Sequence, residues 1–511
     1  MARWIRAAIF LAFVFSAGSA FGSTHFISKS LGSDANAGTT KAAPWAHLPG
    51  MPSCASNCAS YIPVAGDQFI LRGGDTWLAA DLGVNWVWSG TLLSRIYIGV
   101  DKTWFSGAAF TRPIFNCQAS ECNSLPIGSV FWIGAGYVTV DNIEFTGVRQ
   151  NGNFSQAVGA LGLSAEVENC YIHGMTRTSN TSNAFGISLN ISSGDSAVLG
   201  AKFHDNVIDN SDSANLDFFG GILHADAAYN NVIRFVYNNN GNFTDFHGNL
   251  VEDNYVSASG DHCNMLLDGD RLTGTHFLAY NNIFDQKLSF CSGGATLWVL
   301  ALTSGTCGSC VSYVFNNVIY DTSNNFAPQG IVVAGHQAAG NIGTVYIFNN
   351  TIQPDNGFCM GSGEVGASLA NVHFANNHCV TSEVGICQNA EVTCIDDGGN
   401  LKVTTANANA AGYSDAQTYA FSPTKANGPT VGTGISGQTY CTALDSIDAT
   451  AAAACRADID YITYDSVNHT VLHPRTPLVR PAGSAAWDVG AYQFQAVTPP
   501  NGAMSLMATP H

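Results

Sequence analysis

The chain has 511 residues, with 37 acidic and 19 basic side chains and a formal net charge of −18. Only 11% of residues are charged and 46% are hydrophobic, which excludes a disordered polymer. An excess of negative charge on this scale repels phosphate and excludes nucleic-acid binding by bulk electrostatics.

In chain order, Arg3 and Arg6 precede an apolar run over 7–15 and small residues up to Ser23. This pattern predicts a signal peptide over 1–22, cut after Ala20 or Gly22. The run is too short to span a bilayer, which takes about 20 apolar residues. The expected mature protein is secreted, extracellular or periplasmic, without a membrane span, and monomeric. Its 15 cysteines include the close pairs Cys54/Cys58, Cys117/Cys122, Cys307/Cys310, Cys387/Cys394 and Cys441/Cys455. Disulfides stapling loops fit an oxidising compartment better than zinc, because no second matching pair follows Cys307 and Cys310. An odd count leaves one thiol over, and Cys170, inside a regular strand segment, is the candidate.

From about residue 137 a short phrase returns: a β-branched or aromatic residue, one or two asparagines, then an apolar pair. It reads Val140-Asp141-Asn142-Ile143, Glu168-Asn169-Cys170-Tyr171-Ile172 and His204-Asp205-Asn206-Val207-Ile208, and it continues to Asn376-Asn377-His378. The asparagines at 142, 169, 206, 254, 282, 317, 350 and 377 lie 27, 37, 48, 28, 35, 33 and 27 residues apart. A unit of this size marks a solenoid. The segments alternate with period two, so its repeats are strands, and an asparagine fixed in each coil can stack in a ladder. The expected fold is all-β: a right-handed parallel β-helix of about ten coils with N- and C-terminal caps. The 48-residue gap holds either a hidden coil through Asn230-Asn231-Val232-Ile233 or an insertion.

These repeats resemble the right-handed parallel β-helix of the pectin-lyase-like superfamily. The opening His25-Phe26-Ile27-Ser28, Gly32-Ser33-Asp34-Ala35-Asn36-Ala37-Gly38-Thr39 and Ala43-Pro44-Trp45 is similar to that of secreted bacterial β-helix proteins, polysaccharide lyases among them. Gly66-Asp67-Gln68-Phe69-Ile70-Leu71 resembles their first coil, and Trp487-Asp488-Val489-Gly490-Ala491-Tyr492 their closing phrase. The resemblance covers about 24–495 and implies an N-terminal cap and first coils over 23–136 and a core over 137–400; loss of the asparagine phrase marks C-terminal coils and cap over 401–495, and the patternless polar stretch 496–511 is expected to be a disordered tail. It fixes no reaction, because the superfamily holds lyases, hydrolases, esterases and non-catalytic surface proteins.

Each coil carries a second strand upstream of its asparagine phrase. Alternation there turns Asn190, His224, Asp226, Asp268, Trp298 and His336 outward, in one stripe of stacked coils about 4.8 Å apart. Carboxylates, histidines and an aromatic suit a sugar polymer: acids and bases at the scissile bond, a ring face to stack on. The expected catalytic set is His224, Asp226, Asp268 and Arg234, with Asp261 and His262 behind them. The expected substrate contacts are Asn190, Trp298, His336 and His247. A lyase would use a histidine base with Arg234 or calcium on a uronate carboxylate. A hydrolase would use two carboxylates, such as Asp226 and Asp268. The alternative is a non-catalytic surface or adhesive protein that binds glycans through the same stripe, and the metal set, if any, is open.

Overall fold

The computed structural model describes residues 22–118, 129–150, 155–160, 162–177, 184–188, 200–209, 227–234, 240–241, 245–253, 266–268, 276–286, 295–299, 310–321, 329–333, 340–354, 357–362, 368–388 and 392–495. The expected signal peptide and tail lie outside them, as do Asn190, His224, Asp226, Asp261, His262 and His336.

Each asparagine phrase forms a corner between two short strands. Its first residue is left-handed, with φ 61° at Asn142, 54° at Asn169, 56° at Asp205 and 56° at Asn281. Asparagine, aspartate and glycine carry this conformation at least cost. Gly248 (φ 63°) and Gly399 (φ 71°) occupy the same corner in two further coils. The second residue is buried in every coil but the last. From the third corner onward it is always asparagine: Asn206, Asn231, Asn249, Asn282, Asn317, Asn350, Asn377 and Asn400. Each Nδ2 donates to the Oδ1 of the next, at 2.9 Å from Asn282 to Asn317 and from Asn317 to Asn350. The backbone N–H of each rung donates to that same Oδ1, at 3.1 Å from Asn282 and 2.9 Å from Asn317. The ladder so satisfies amides that the corner removes from any sheet.

Two of the expected ladder positions are corrected. Asn142 and Asn169 are left-handed corner residues, and Ile143 and Cys170 stand at the rung position behind them. The 48-residue gap holds a complete coil with rung Asn231, followed by a short one with rung Asn249, 18 residues on. Asn254 lies outside the described residues.

The strand before each corner joins a 13-stranded sheet running from Thr24–Ile27 to Thr393–Gly398. The strand after it joins a 12-stranded sheet ending at Leu401–Val403. A third face carries a four-stranded and a six-stranded sheet. All three faces pair in parallel between consecutive coils. The chain is thus an all-β, right-handed parallel β-helix. Its interior is a single apolar column. In the first sheet Val140, Val167, Phe203, Ala228, Phe246 and Ala279 stack in register, all fully buried. Phe and Ala alternate over the last four, so each ring fills the space its neighbour leaves.

The disulfides Cys54–Cys58, Cys387–Cys394 and Cys441–Cys455 close local loops. Cys359–Cys379 joins two fully buried residues 20 apart, a pairing that close spacing does not reveal. Cys117 and Cys310 are also disulfide-bonded, which removes zinc for Cys310. Cys170 is free and buried, its thiol pushed up to about 12, chiefly by desolvation.

Both ends are closed. At the N-terminus Asp34 accepts from the amides of Ala46, His47 and Ala55, each at 3.0 Å. That folds the Gly-Ser-Asp-x-Asn loop so that Trp45 stacks on His25, 4.4 Å between centroids. Helix α1 (Ser56–Ser60) is all that remains of a capping helix. At the C-terminus, α2 (Thr405–Ala411), α3 (Gln438–Leu444) and α4 (Ala449–Cys455) fold back along the coils. Residues of α3 and α4, with Trp487, cover Leu278, Tyr280, Tyr313, Phe315 and Phe348 on the first sheet. Ile462, Tyr464 and Val471 pack on Tyr171, Val207, Val232 and Leu250 of the second.

Arg480 pins this cap. It is 1% exposed and donates to Ala457 O, Gly490 O, Gln493 Oε1 and the corner residue Asn316 Oδ1, at 3.0–3.1 Å. Burial draws its guanidinium down to about 10. Arg480→Met should orphan these acceptors and cost about 3–5 kcal/mol. Chemical denaturation, with proteolysis of residues 404–495 as a second readout, checks this.

Candidate active site

The residue just before each left-handed corner lies on the outer face of the first sheet. Reading up the coils in register, this column is Asp141, Glu168, His204, Tyr229, His247, Tyr280, Phe315 and Phe348. From His204 upward the rings stack nearly parallel: 4.5 Å from His204 to Tyr229, 5.0 Å to His247, 4.5 Å to Tyr280 and 4.9 Å to Phe315. The cap covers this stack from Tyr280 onward. Below it, the column is ionic and reachable from solvent.

His204 organises that lower part. Its Nδ1 lies 2.7 Å from Asp205 Oδ2, and its Nε2 lies 3.1 Å from Glu166 Oε1 and 3.5 Å from Glu168 Oε2. Desolvation opposes the charged ring, but bonds to Asp205 and Glu166 outweigh it and raise its pKa to about 9. Glu166, held by His204 against desolvation and close to Arg95, falls to about 2. Glu168 moves the other way. Desolvation raises it first, and the charge of Asp141 one coil below raises it further. Asp141 is fixed by two donors: Tyr97 OH at 2.5 Å and Asn169 Nδ2 at 2.8 Å. The carboxylate side chains keep 21% (Glu166) and 26% (Glu168) exposure, enough for a ligand to reach them.

Glu168 and Asp141 are register partners on adjacent strands, so their backbones stand about 4.8 Å apart. On the same strand Glu168 is raised while Glu166 is lowered, and carboxyls pushed apart in acidity within one site are the arrangement that marks the raised one as the acid. His204 itself is cationic at neutral pH and already bonded on both nitrogens, which makes it a poor base.

Its linkage is testable. A pKa raised on folding stabilises fully below the unfolded value and loses that contribution as pH rises through the folded one. Denaturation midpoints should therefore fall between about pH 6.5 and 9, and His204→Gln should flatten that fall.

The predicted site residues that are described lie on three different sheets. Arg234 lies on the second sheet, paired with Asp209. His247 lies on the first, bonded to Asp245 at 2.8 Å, with both ring faces covered by Tyr229 and Tyr280. Asp268 and Trp298 are on the third face. There Leu266 pairs with Leu297 and Leu267 with Trp298, so Trp298 shares its column with Leu267, one residue out of the expected register. Such a slip exchanges the two faces of a strand.

Sequence reading overlooked Asp141, Glu168 and His204 because they stood inside phrases taken as structural. A signal was present: the residue before the corner is Asp, Glu and His in three consecutive coils and mostly aromatic afterwards.

Calcium takes six to eight oxygens. Here Glu166, Asp205 and Asp141 are already bonded by Arg95, His204, Tyr97 and Asn169. Among the described residues no group of three or more His, Cys, Asp or Glu is disposed to hold a metal ion. These residues do not fit a calcium site.

Three parallel faces closed around one core, with an internal asparagine ladder, decide the architecture. It is a right-handed parallel β-helix. Solved structures similar to this β-helix include a pectate lyase Pel9A at 14% identity and TM-score 0.35, covering 94% of this chain and 98% of that one. A rhamnogalacturonan lyase is 15% identical with TM-score 0.29, covering 70% of this chain and 74% of that one. The GH136 lacto-N-biosidase from Eubacterium ramulus is 12% identical with TM-score 0.31, covering 75% and 68%. No protein-family model and no curated protein sequence matches the chain.

Proposed function

We propose that this β-helix is a secreted carbohydrate-degrading enzyme, a glycoside hydrolase acting on a polysaccharide, with Glu168 as its acid and Asp141 as its second carboxylate. The observation that carries the reading is the adjacent-coil pair Asp141–Glu168 on the stretch of the first sheet that the cap leaves open, with Glu168 raised where its strand neighbour Glu166 is lowered. Glu168, its acidity weakened by burial and by the neighbouring charge of Asp141, delivers its proton to the glycosidic oxygen as the bond to the anomeric carbon breaks. Asp141, oriented by Tyr97 and Asn169, attacks that carbon from the opposite side. Water then releases the sugar while Glu168 takes back a proton.

A backbone separation of about 4.8 Å suits the short carboxyl spacing of about 5–5.5 Å that goes with retention, rather than the wider spacing of inversion. His204 acts on position and field: bonded to Asp205 and Glu166, it holds Glu166 well down in pKa, while burial and the charge of Asp141 raise Glu168 against the pull of the same ring. Export is supported by disulfides closing loops in both halves of the chain. No described helix is long and apolar enough to cross a membrane.

The test is product stereochemistry by proton NMR on whichever glycan is cleaved. Retained anomeric configuration is expected. Inversion would remove Asp141 from the nucleophile role. Binding with no cleavage of any glycan would favour the adhesive alternative.

A further inference from the structure

The charges around Glu168 also constrain what it accepts. Asp141, Glu166, Glu168, Asp205 and Asp245 crowd one stretch of the sheet, and four of them together raise the hydroxyl of Tyr229 above its usual range, after desolvation. Against them stand Arg95, Lys202, Arg112 and His204. The guanidinium of Arg95 is used within the chain, by Thr139 Oγ1 at 2.8 Å, Ser164 O at 2.7 Å, Val138 O at 3.1 Å and Glu166 at 3.3 Å. That of Arg112 donates to the carbonyls of Asn169, Asn468 and His469, each at 3.1 Å. His204 is bonded on both nitrogens. Lys202, exposed and in register with Glu166, is the cation left nearest the site among the described residues.

Eliminating across a uronate ring needs a cation on the substrate carboxylate, because otherwise the carbanion formed beside it meets a second negative charge. Here that carboxylate would meet carboxylates instead, and like charges brought together are a strong device of exclusion. We infer that the site takes an uncharged or N-acetylated glycan and rejects uronate polymers. This rests on the hydrolase reading above and extends it from a reaction to a substrate class. It also sets this site apart from that of a calcium-dependent lyase, whose ion would need carboxylates that are already engaged here.

The experiment uses the mature secreted chain, its Glu168→Gln variant and its Lys202→Ala variant. Each is incubated with neutral polysaccharides (arabinan, galactan, xylan, β-glucan), chitooligosaccharides, polygalacturonate and alginate, with calcium or with a chelator. Reducing ends and absorbance at the wavelength of unsaturated uronates are read in parallel. Expected are reducing ends from a neutral or N-acetylated glycan, no unsaturated product, indifference to chelator, unchanged kcat/KM in Lys202→Ala, and loss in Glu168→Gln. Cleavage of a uronate polymer that disappears in Glu168→Gln would overturn the substrate class and leave the acid–base pair standing. Cleavage that survives Glu168→Gln would overturn the pair itself. Failure on every neutral and N-acetylated glycan, with melting unchanged, also overturns the substrate class.

Discussion

Replacing Glu168 by glutamine is expected to lower turnover by about 10²–10⁴ while leaving the β-helix folded, the usual effect of losing a positioned proton donor. The physical basis is local. Glu168 shares its strand face with Glu166, two residues away, and its register position with Asp141 one coil below. Its carboxyl is desolvated, and the neighbouring charge of Asp141 opposes ionisation. Glutamine keeps the volume and the contact with His204 but has no acidic proton. The pH profile separates this role from a merely structural one. In the parent, activity should fall on the alkaline side as Glu168 ionises, and because its pKa is raised, that fall should come above the range of an ordinary glutamate. In Glu168→Gln the residual rate should lose this limb. A substrate with a good leaving group, needing little protonation, should recover much of the first step. Equal losses on good and poor leaving groups would argue against proton donation.

The second large effect is expected at the asparagine ladder. Asn317 Oδ1 accepts from both the backbone N–H and the Nδ2 of Asn282, and its Nδ2 donates to Ala279 O and Asn350 Oδ1. Asn317→Ala leaves the Asn282 amide buried without an acceptor, and a fully buried polar group orphaned in this way costs about 1–3 kcal/mol, with the lost side-chain bonds and the small cavity added to it. A total of about 3–4 kcal/mol is expected from urea denaturation. Asn400→Ala should cost clearly less. Asn400 is the last rung and half-exposed, so water can replace its bonds. Equal costs at both positions would mean that the ladder contributes through the corner conformation and not through buried bonding.

The ladder also shows how far the sequence alone reached. Period-two alternation and the recurring asparagines determined a parallel solenoid, because both follow from short-range rules: side chains alternate across a strand, and a tight corner selects asparagine or glycine. The opening motif acts at similarly short range: Asp34 and Trp45 work within a loop of some twelve residues. The closing Trp487–Tyr492 phrase was legible only by resemblance, because it docks on distant coils, Gly490 N–H on Asn376 O and Ala491 N–H on Thr351 Oγ1. Cys170 stood out as the unpaired thiol because it lies inside a regular strand segment; that it occupies a rung only the structure showed.

Other features were decided only in three dimensions. Whether Asn142 or Ile143 is the rung depends on which corner residue turns left-handed, and that is set by the strands stacked above and below. Arg234, His247 and Trp298 were expected at one site, yet a coil divides its residues among three faces, so they lie on three different sheets. Conversely, Asp141, Glu168 and His204, in three different coils of the sequence, become register partners because parallel stacking brings equal positions of successive coils to about 4.8 Å. Which part of that column stays open was set by the C-terminal helices, folding back over Tyr280, Phe315 and Phe348 and stopping short of Glu168. The sequence determined the repeat. The stacking of coils and the reach of the cap decided where chemistry has room to occur.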